Sequence, residues 1–320
     1  MRVIRSVSEL GGPPPRAAAA IGVFDGVHAG HREIFERTMR AASSLSATSA
    51  VFTFDPHPRA VLPDARSPRI LTTLDEKLHI LERLGIELTV VIPFDRAFAS
   101  MSAEEFVDSW LVSRLDLRRV VIGYDFRLGR DRAANGAALG ALGEARGFEV
   151  DRVPPFVAEG RPVKSTWIRD EIEAGNVGRA ASLLRRFHSL AGFVGRGEGR
   201  GESLGFPTAN LAVSEREKLW PRDGVYAAFA EIPGKVVGAV ANIGVRPTFG
   251  GGGERRVEAH LLRYRETLRG VPLALHFVDR IRDERAFPSV DALVSRVRED
   301  CREAERILAS AVPTFAFTRF

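Results

Sequence analysis

A chain of 320 residues has room for two domains of ordinary size, and an apolar share of 45% is that of a globular protein. A net charge of +5 suits polyanionic small molecules, but without a lysine-rich tail or basic-aromatic interleaving it gives no support to a nucleic-acid binder. Cys301 is the only cysteine, which excludes an internal disulfide; no apolar run has the length of a membrane span, so a cytoplasmic protein with neither membrane nor nucleic-acid partners is expected.

The first half alternates between two textures. Apolar runs at Ala18–Phe24, Ala50–Phe54, Leu88–Pro93, Val120–Ile122 and Glu149–Val153 read as buried strands. Stretches with helical spacing lie between them, at His31–Leu45, Leu74–Leu84, Ala103–Leu115 and Ala137–Gly147. This alternation predicts a Rossmann-like, doubly wound α/β domain with a parallel sheet, whose ligands bind at the carboxyl ends of the strands.

One such end carries Ile21-Gly22-Val23-Phe24-Asp25-Gly26-Val27-His28-Ala29-Gly30-His31. A strand feeding a glycine-rich turn and a helix start brings backbone N–H groups and a helix dipole to one point, which suits phosphate. His28 and His31 would donate to phosphate oxygens as charge builds on them. Zinc is a weaker reading, because the spacing is three rather than four and no third ligand is evident.

Two short helical stretches follow, Thr166–Ala174 and Val177–Arg186, before the texture changes. Glycines crowd residues 192–205. Strand-like segments then run at Val225–Ile232, Val236–Ile243, Arg255–Leu262 and Pro272–Val278, with turns at Pro233-Gly234 and Gly250–Gly253. This predicts a small antiparallel Greek-key β barrel, closed by a terminal helix over Val290–Leu308 whose apolar face is Val290, Leu293, Val294, Val297 and Cys301. The domains are expected to be 1–186 and 187–320.

The glycine cluster fits neither Gly-x-Gly-x-x-Gly nor a P-loop, yet Gly199 and Gly201 permit close approach to phosphate. Thr208 and Asn210 offer neutral oxygens of the kind Mg²⁺ accepts alongside phosphate and water. Glu258 alternates with Val257 and Ala259, so it faces the other side of its strand. A carboxylate inside a small barrel would need a task or a partner.

The whole of Gly-x-Phe-Asp-Gly-x-His-x-Gly-His resembles the first signature of the nucleotidyltransferase superfamily, where the box binds ATP phosphates and stabilises attack on the α-phosphate. On that resemblance Gly22, Phe24, Asp25, Gly30, His28 and His31 belong to the adenylylation site. Val163-Lys164-Ser165-Thr166-Trp167-Ile168-Arg169 resembles the superfamily's Ile-Ser-Ser-Thr-x-x-Arg box. Ser165 and Thr166 would cap the next helix or, with Arg169, hold the β- and γ-phosphates. Lys164 departs from the usual serine, and Trp167 stands where arginine is common. Phe52–Pro58 and Gly123-Tyr124-Asp125-Phe126-Arg127 resemble segments of bacterial FMN adenylyltransferases, which puts Phe54, Pro56 and Asp125 near the flavin.

In the second half Pro207-Thr208-Ala209-Asn210, Asn242-Ile243-Gly244, Val257-Glu258-Ala259-His260 and Arg282-Asp283-Glu284 occur in the order found in riboflavin kinases. That resemblance implies MgATP on Thr208 and Asn210, Glu258 as general base on the ribityl 5′-hydroxyl, and Arg282 and Glu284 near the flavin. Over nearly its whole length the chain is similar to the bacterial bifunctional riboflavin kinase/FMN adenylyltransferase family, with riboflavin, FMN, FAD and ATP as substrates and products. The rivals are a kinase whose first half survives as a scaffold, motivated by Lys164 and Trp167, and a flavin-binding regulator without turnover. A cytidylyltransferase shares the first box but leaves residues 200–287 unexplained.

Overall fold

Ala17 to Ile21 are buried without a break, as a strand must be when helices cover both faces of its sheet. In a computed structural model that describes residues 1–62, 69–196, 201, 204–246 and 254–312, the chain divides into two units, Met1–Lys164 and Ser165–Phe320.

The first unit is built on strands β1 (Arg2–Ile4), β2 (Arg16–Ile21), β3 (Thr48–Asp55), β4 (Leu88–Pro93), β5 (Asp116–Gly123) and β6 (Glu149–Val153). They form one parallel sheet in the order β1-β4-β3-β2-β5-β6. Helix α1 (Ala29–Ser44) packs on β2, β3 and β5. Helix α2 (Leu74–Leu84) starts in a capping box of Thr73 and Glu76 and stops at Gly85, whose φ of 94° few other residues adopt. Helix α3 (Gly136–Arg146) starts at Asn135, whose Oδ1 accepts from the Ala137 and Ala138 amides at 2.9 and 3.0 Å. Phe52, Val90, Ile92, Ile122 and Leu139 fill the core.

The helix expected over Ala103–Leu115 is interrupted. Ala103–Phe106 is α-helical, Val107–Val112 is π-helical, and the Ser113 amide reaches back five residues to the Asp108 carbonyl at 3.1 Å. The Ser109 and Ser113 hydroxyls bond carbonyls four residues back, which competes with regular helix geometry.

The second unit opens with α4 (Ser165–Ala174) and α5 (Val177–Leu184). Strands β7 (His188–Gly195), β8 (Ala209–Val213), β9 (Gly224–Ile232), β10 (Lys235–Arg246), β11 (Glu254–Leu261) and β12 (Pro272–Arg282) close an antiparallel barrel in the order β7-β8-β11-β10-β9-β12. Leu190, Leu211, Tyr226, Ile243, Val257, Ala259 and Phe277 pack its interior. By packing, the two compact units divide at 164/165, while the domains are expected to meet near 187. Val177 belongs to the barrel's core cluster and α5 lies on β12.

In the terminal helix α6 (Val290–Ala309) the inward stripe keeps Cys301 of the expected face, with Leu293, Val294 and Val297 half-buried, and continues through Ala304 and Leu308. Val290 is 59% exposed, while Ala304, Cys301, Ile307 and Leu308 pack on Val225, Ala227 and Val240. The Cys301 thiol is pushed up to about 11, first by burial and then by Asp300 and Glu305, which leaves it a packing group. The helix is anchored by Asp300, which is 2% exposed, accepts from Arg282 at 2.7–3.0 Å and forms an ion pair with Arg296 Nε at 3.0 Å. Removing one partner of a buried ion pair costs about 3–5 kcal/mol. Arg282→Ala is expected at the lower end, because Arg296 still pairs Asp300. Urea unfolding measures the loss, and a midpoint equal to that of the unmodified protein refutes the anchor.

Candidate active sites

In the first unit the chain leaves β2, steps outward through β3 and β4, and returns to β5 on the other side of β2. That reversal is a topological switch point, where open α/β sheets bind ligands beyond the strand ends. The Gly22–His31 loop leaves β2 there, Tyr124 and Asp125 leave β5, and Phe54 to Pro56 end β3. Most of the first-half candidates thus meet at one end of three adjacent strands.

The loop has an uncommon backbone. Phe24, Gly26 and Val27 have φ of 50°, 86° and 41°, and a positive φ at a β-branched residue persists only where its surroundings dictate it. Asp25 supplies one such tie. Its buried carboxylate accepts from the Leu71 amide at 2.9 Å and the Thr72 amide at 3.1 Å, and the Gly26 amide donates to Thr72 Oγ1 at 3.0 Å. Asp25 is therefore placed as a brace of the loop through 71–72. Lys77 supplies another, donating to the Val23 carbonyl at 2.8 Å.

His28 is the N-cap of α1, with its Nδ1 accepting from the His31 amide at 3.4 Å. The His28 ring is buried and stacks on the His31 ring at 3.6 Å between centroids, and Phe24 meets His31 edge-on at 5.3 Å. Two glycines make room for these rings. A Cβ on Gly30 would lie 3.3 Å from His28 Cε1, and one on Gly22 would lie 2.8 Å from the Phe24 ring. The box thus brings two imidazoles to the start of a helix, where its dipole favours an anion.

Beside β5 a cavity of about 490 Å³ is lined by Tyr124 and Phe126, by Arg127, Arg132, Arg152 and Lys164, and by the start of α3. Its volume is that of a site for a small organic ligand. Asp125 lies 3.6 Å from Lys164 Nζ, and the Lys164 ammonium sits 5.4 Å from the Tyr124 ring centre. The neighbouring Tyr124 hydroxyl, and then Asp125, hold Lys164 above the usual lysine range, so it is a cation here. Phe52 is wholly buried core, whereas Phe54 is half-buried against Phe94 and Phe98, and Pro56 is exposed.

Ser165 and Thr166 occupy the first turn of α4, and Arg169 lies one turn on; all three belong to the second unit. Trp167 is explained by packing. It is buried, its Nε1 donates to Glu171 Oε1 at 2.7 Å, and Glu171 also binds Asn176 and Arg179.

In the barrel, Glu258 stands opposite Asn210 on one side and Asn242 on the other. The neighbours that alternate with them, Ala209, Leu211, Ala241, Ile243, Val257 and Ala259, fill the interior. The three polar side chains therefore form a row on the barrel's outer face, roughly 5 Å apart at Cβ. Glu258 is half-buried and does not point into the barrel, so the cost of burying a carboxylate there does not arise. Glu284 joins the row: its carboxylate accepts from Asn242 Nδ2 at 3.3 Å and covers Gly244, where a Cβ would collide with it. Thr208 precedes β8 and is exposed, and a Cβ on Gly201 would lie 3.2 Å from its Oγ1. Gly199 lies outside the described residues. Arg282, expected near a flavin, grips Asp300 with its guanidinium edge.

Two residues given no role from the sequence, Lys77 and Asn242, stand among these groups. Lys77 sits in the buried stripe of α2 with Ile80 and Leu81, a place where a lysine is out of pattern and could have been noticed. Asn242 alternates with core Ala241 and Ile243, which was a legible sign of an outward polar group.

Residues 13–167 match the family model for FAD synthetase, and residues 184–308 match that for riboflavin kinase. The bifunctional riboflavin kinase/FMN adenylyltransferase of Bacillus subtilis (strain 168) is 32% identical over 302 residues, covering 92% of this chain and 93% of the relative. That of Escherichia coli (strain K12) is 33% identical over 304 residues, covering 94% and 96%. A crystal structure described as a macrolide-efflux protein from Streptococcus pneumoniae has a TM-score of 0.85 and 31% identity, covering 97% of this chain and 99% of that one. Among the described residues no helix is long and apolar enough to cross a membrane. With both segments matched in order and the relatives aligned almost end to end, the chain belongs to the bifunctional riboflavin kinase/FMN adenylyltransferase family.

Proposed function

We propose that the two reactions of the family are divided between the candidate sites: riboflavin is phosphorylated at the outer face of the barrel, and FMN is adenylylated at the 22–31 loop. The first reaction transfers the γ-phosphoryl group of ATP to the riboflavin 5′-hydroxyl and releases ADP. In the second, the FMN phosphate attacks the α-phosphate of a second ATP, giving FAD and pyrophosphate. The observation that carries the reading is the row of Asn210, Glu258 and Asn242 on the barrel, a carboxylate flanked by two amides.

In the kinase step Glu258 takes the proton of the 5′-hydroxyl as the new P–O bond forms. Thr208 and Asn210 fit Mg²⁺, since they present neutral oxygens next to a carboxylate and leave positions for phosphate and water. Bound there with ATP, the ion would neutralise charge on the phosphates. Glu284 and Asn242 would orient the ribityl chain.

In the adenylylation step His28 and His31 donate to the oxygens of the α-phosphate, where charge develops, and the start of α1 adds its dipole. FMN is assigned to the cationic cavity, with Tyr124 and Phe126 beside the isoalloxazine, Asp125 on its polar edge, and Phe54 and Pro56 bounding the approach from β3. The assignment of Ser165, Thr166 and Arg169 to the β- and γ-phosphates, and of residues 1–186 to this reaction, rests on the sequence motif. A lone cysteine with a raised pKa suits the reducing cytoplasm.

Incubation of the protein with riboflavin, ATP and Mg²⁺, followed by flavin chromatography, tests the division. FMN is expected first and FAD after it. FMN that accumulates without any FAD identifies a kinase whose first unit is a scaffold.

A further inference from the structure

Lys77 is a buried cation to which the two-site reading gives no chemical step. It is 6% exposed, on the stripe of α2 that faces the sheet. Its Nζ donates to the Val23 carbonyl at 2.8 Å and to Thr53 Oγ1 at 3.1 Å, and the Thr53 hydroxyl donates to the same carbonyl at 3.1 Å. The three groups close a triangle that ties the entrance of the 22–31 loop to β3. Val23 lies between Gly22 and Phe24, immediately before the run of positive φ angles.

The triangle also has an electrostatic side. The carboxylates acting on Lys77 are Asp25, on the loop itself, and Asp55, at the end of β3. Both lie at the strand ends where a polyphosphate would bind, and uncompensated they would repel it. Burial lowers the Lys77 pKa to about 8, against the upward pull of the two carboxylates.

We propose that Lys77 is a positioning residue for adenylyl transfer: it clamps Val23 to β3 so that the loop keeps its anion-binding shape, and its charge offsets Asp25 and Asp55 next to the nucleotide. This rests on the reading that ATP phosphates occupy the 22–31 loop. A hydrogen-bonded charge removed from such a place corresponds to about a tenfold to hundredfold loss.

The test is steady-state FAD formation from added FMN with ATP varied, on the full chain, with FMN formation from riboflavin as control. Lys77→Met is expected to raise KM for ATP and lower kcat for FAD formation, while FMN formation is unchanged. In the unmodified protein kcat/KM for ATP is expected to fall as pH rises through about 8, because Lys77 then loses its charge. Phosphate groups with pKa near 6 are already ionised there. The fall is expected to be absent in Lys77→Met. A merely structural lysine leaves no such alkaline limb. Unchanged kinetics in Lys77→Met, or a flat profile from pH 7 to 9.5 in the unmodified protein, overturns the proposal. Should Lys77→Met fail to fold, the profile of the unmodified protein decides alone. His31→Ala separates the two readings: if it retains FAD formation, the loop is not the nucleotide site, whatever Lys77 does.

Discussion

Glu258→Gln is expected to lower FMN formation from riboflavin by about 10²–10⁴-fold, the range a positioned general base contributes. FAD formation from added FMN is expected to be unaffected. The substitution keeps size and hydrogen-bonding shape but removes basicity. Because Glu258 stands on the outer face of β11, between Asn210 and Asn242, no core contact changes. A surface substitution of this kind alters stability by about 0.5 kcal/mol or less, so lost activity is not lost fold. Chromatography of the two half-reactions reads the result directly. An equal loss of both activities, or of neither, would falsify the assignment of Glu258 to the kinase step. The alternating pattern on β11 is what makes the test clean: Val257 and Ala259 hold the strand in the barrel, and Glu258 is free of that duty.

Much of this architecture was legible because the hydrophobic pattern is consistent with it. Leu88–Pro93, Glu149–Val153 and Leu74–Leu84 have the bounds read from the sequence, since each is bracketed by turn residues or a capping box. Strands β7 and β8 were hidden by the glycine-rich stretch they border, although His188, Leu190 and Val194 alternate inward along β7. The terminal helix was legible in part, with Cys301 inward as expected but Val290 exposed. Its first two turns carry valines and a leucine, but its buried positions are set by Asp300 and Ala304, and a buried aspartate is visible only once Arg282 is seen to meet it. The same ion pair gives Arg282 a partner its motif did not announce: a motif gives a residue's type and order, not the direction in which its side chain is used. In the first unit, the His28–His31 pairing was readable from spacing. The bracing by Asp25, Thr72 and Lys77 was not, because it joins residues some fifty positions apart whose proximity depends on sheet order.

The complementary experiment is His31→Ala, for which FAD formation from added FMN is expected to fall by about 10²–10³-fold, the cost of one lost donor to a developing oxyanion. FMN formation from riboflavin is expected to continue at its normal rate. His31 is the better target of the pair. His28 caps α1 by accepting from the His31 backbone amide, and a mutation there costs about 1 kcal/mol of helix stability in addition to any chemistry. Alanine at 31 keeps the amide that His28 caps and removes only the ring stacked on His28 and touched by Phe24. The loss should appear in kcat for FAD formation more than in KM for ATP, since the donor acts on charge that forms in the transition state. A rise in KM with kcat unchanged would show that His31 binds ground-state ATP and leaves the developing charge to other groups. Set beside Glu258→Gln, the two variants should each silence one half-reaction and spare the other, as two separate sites in one chain require.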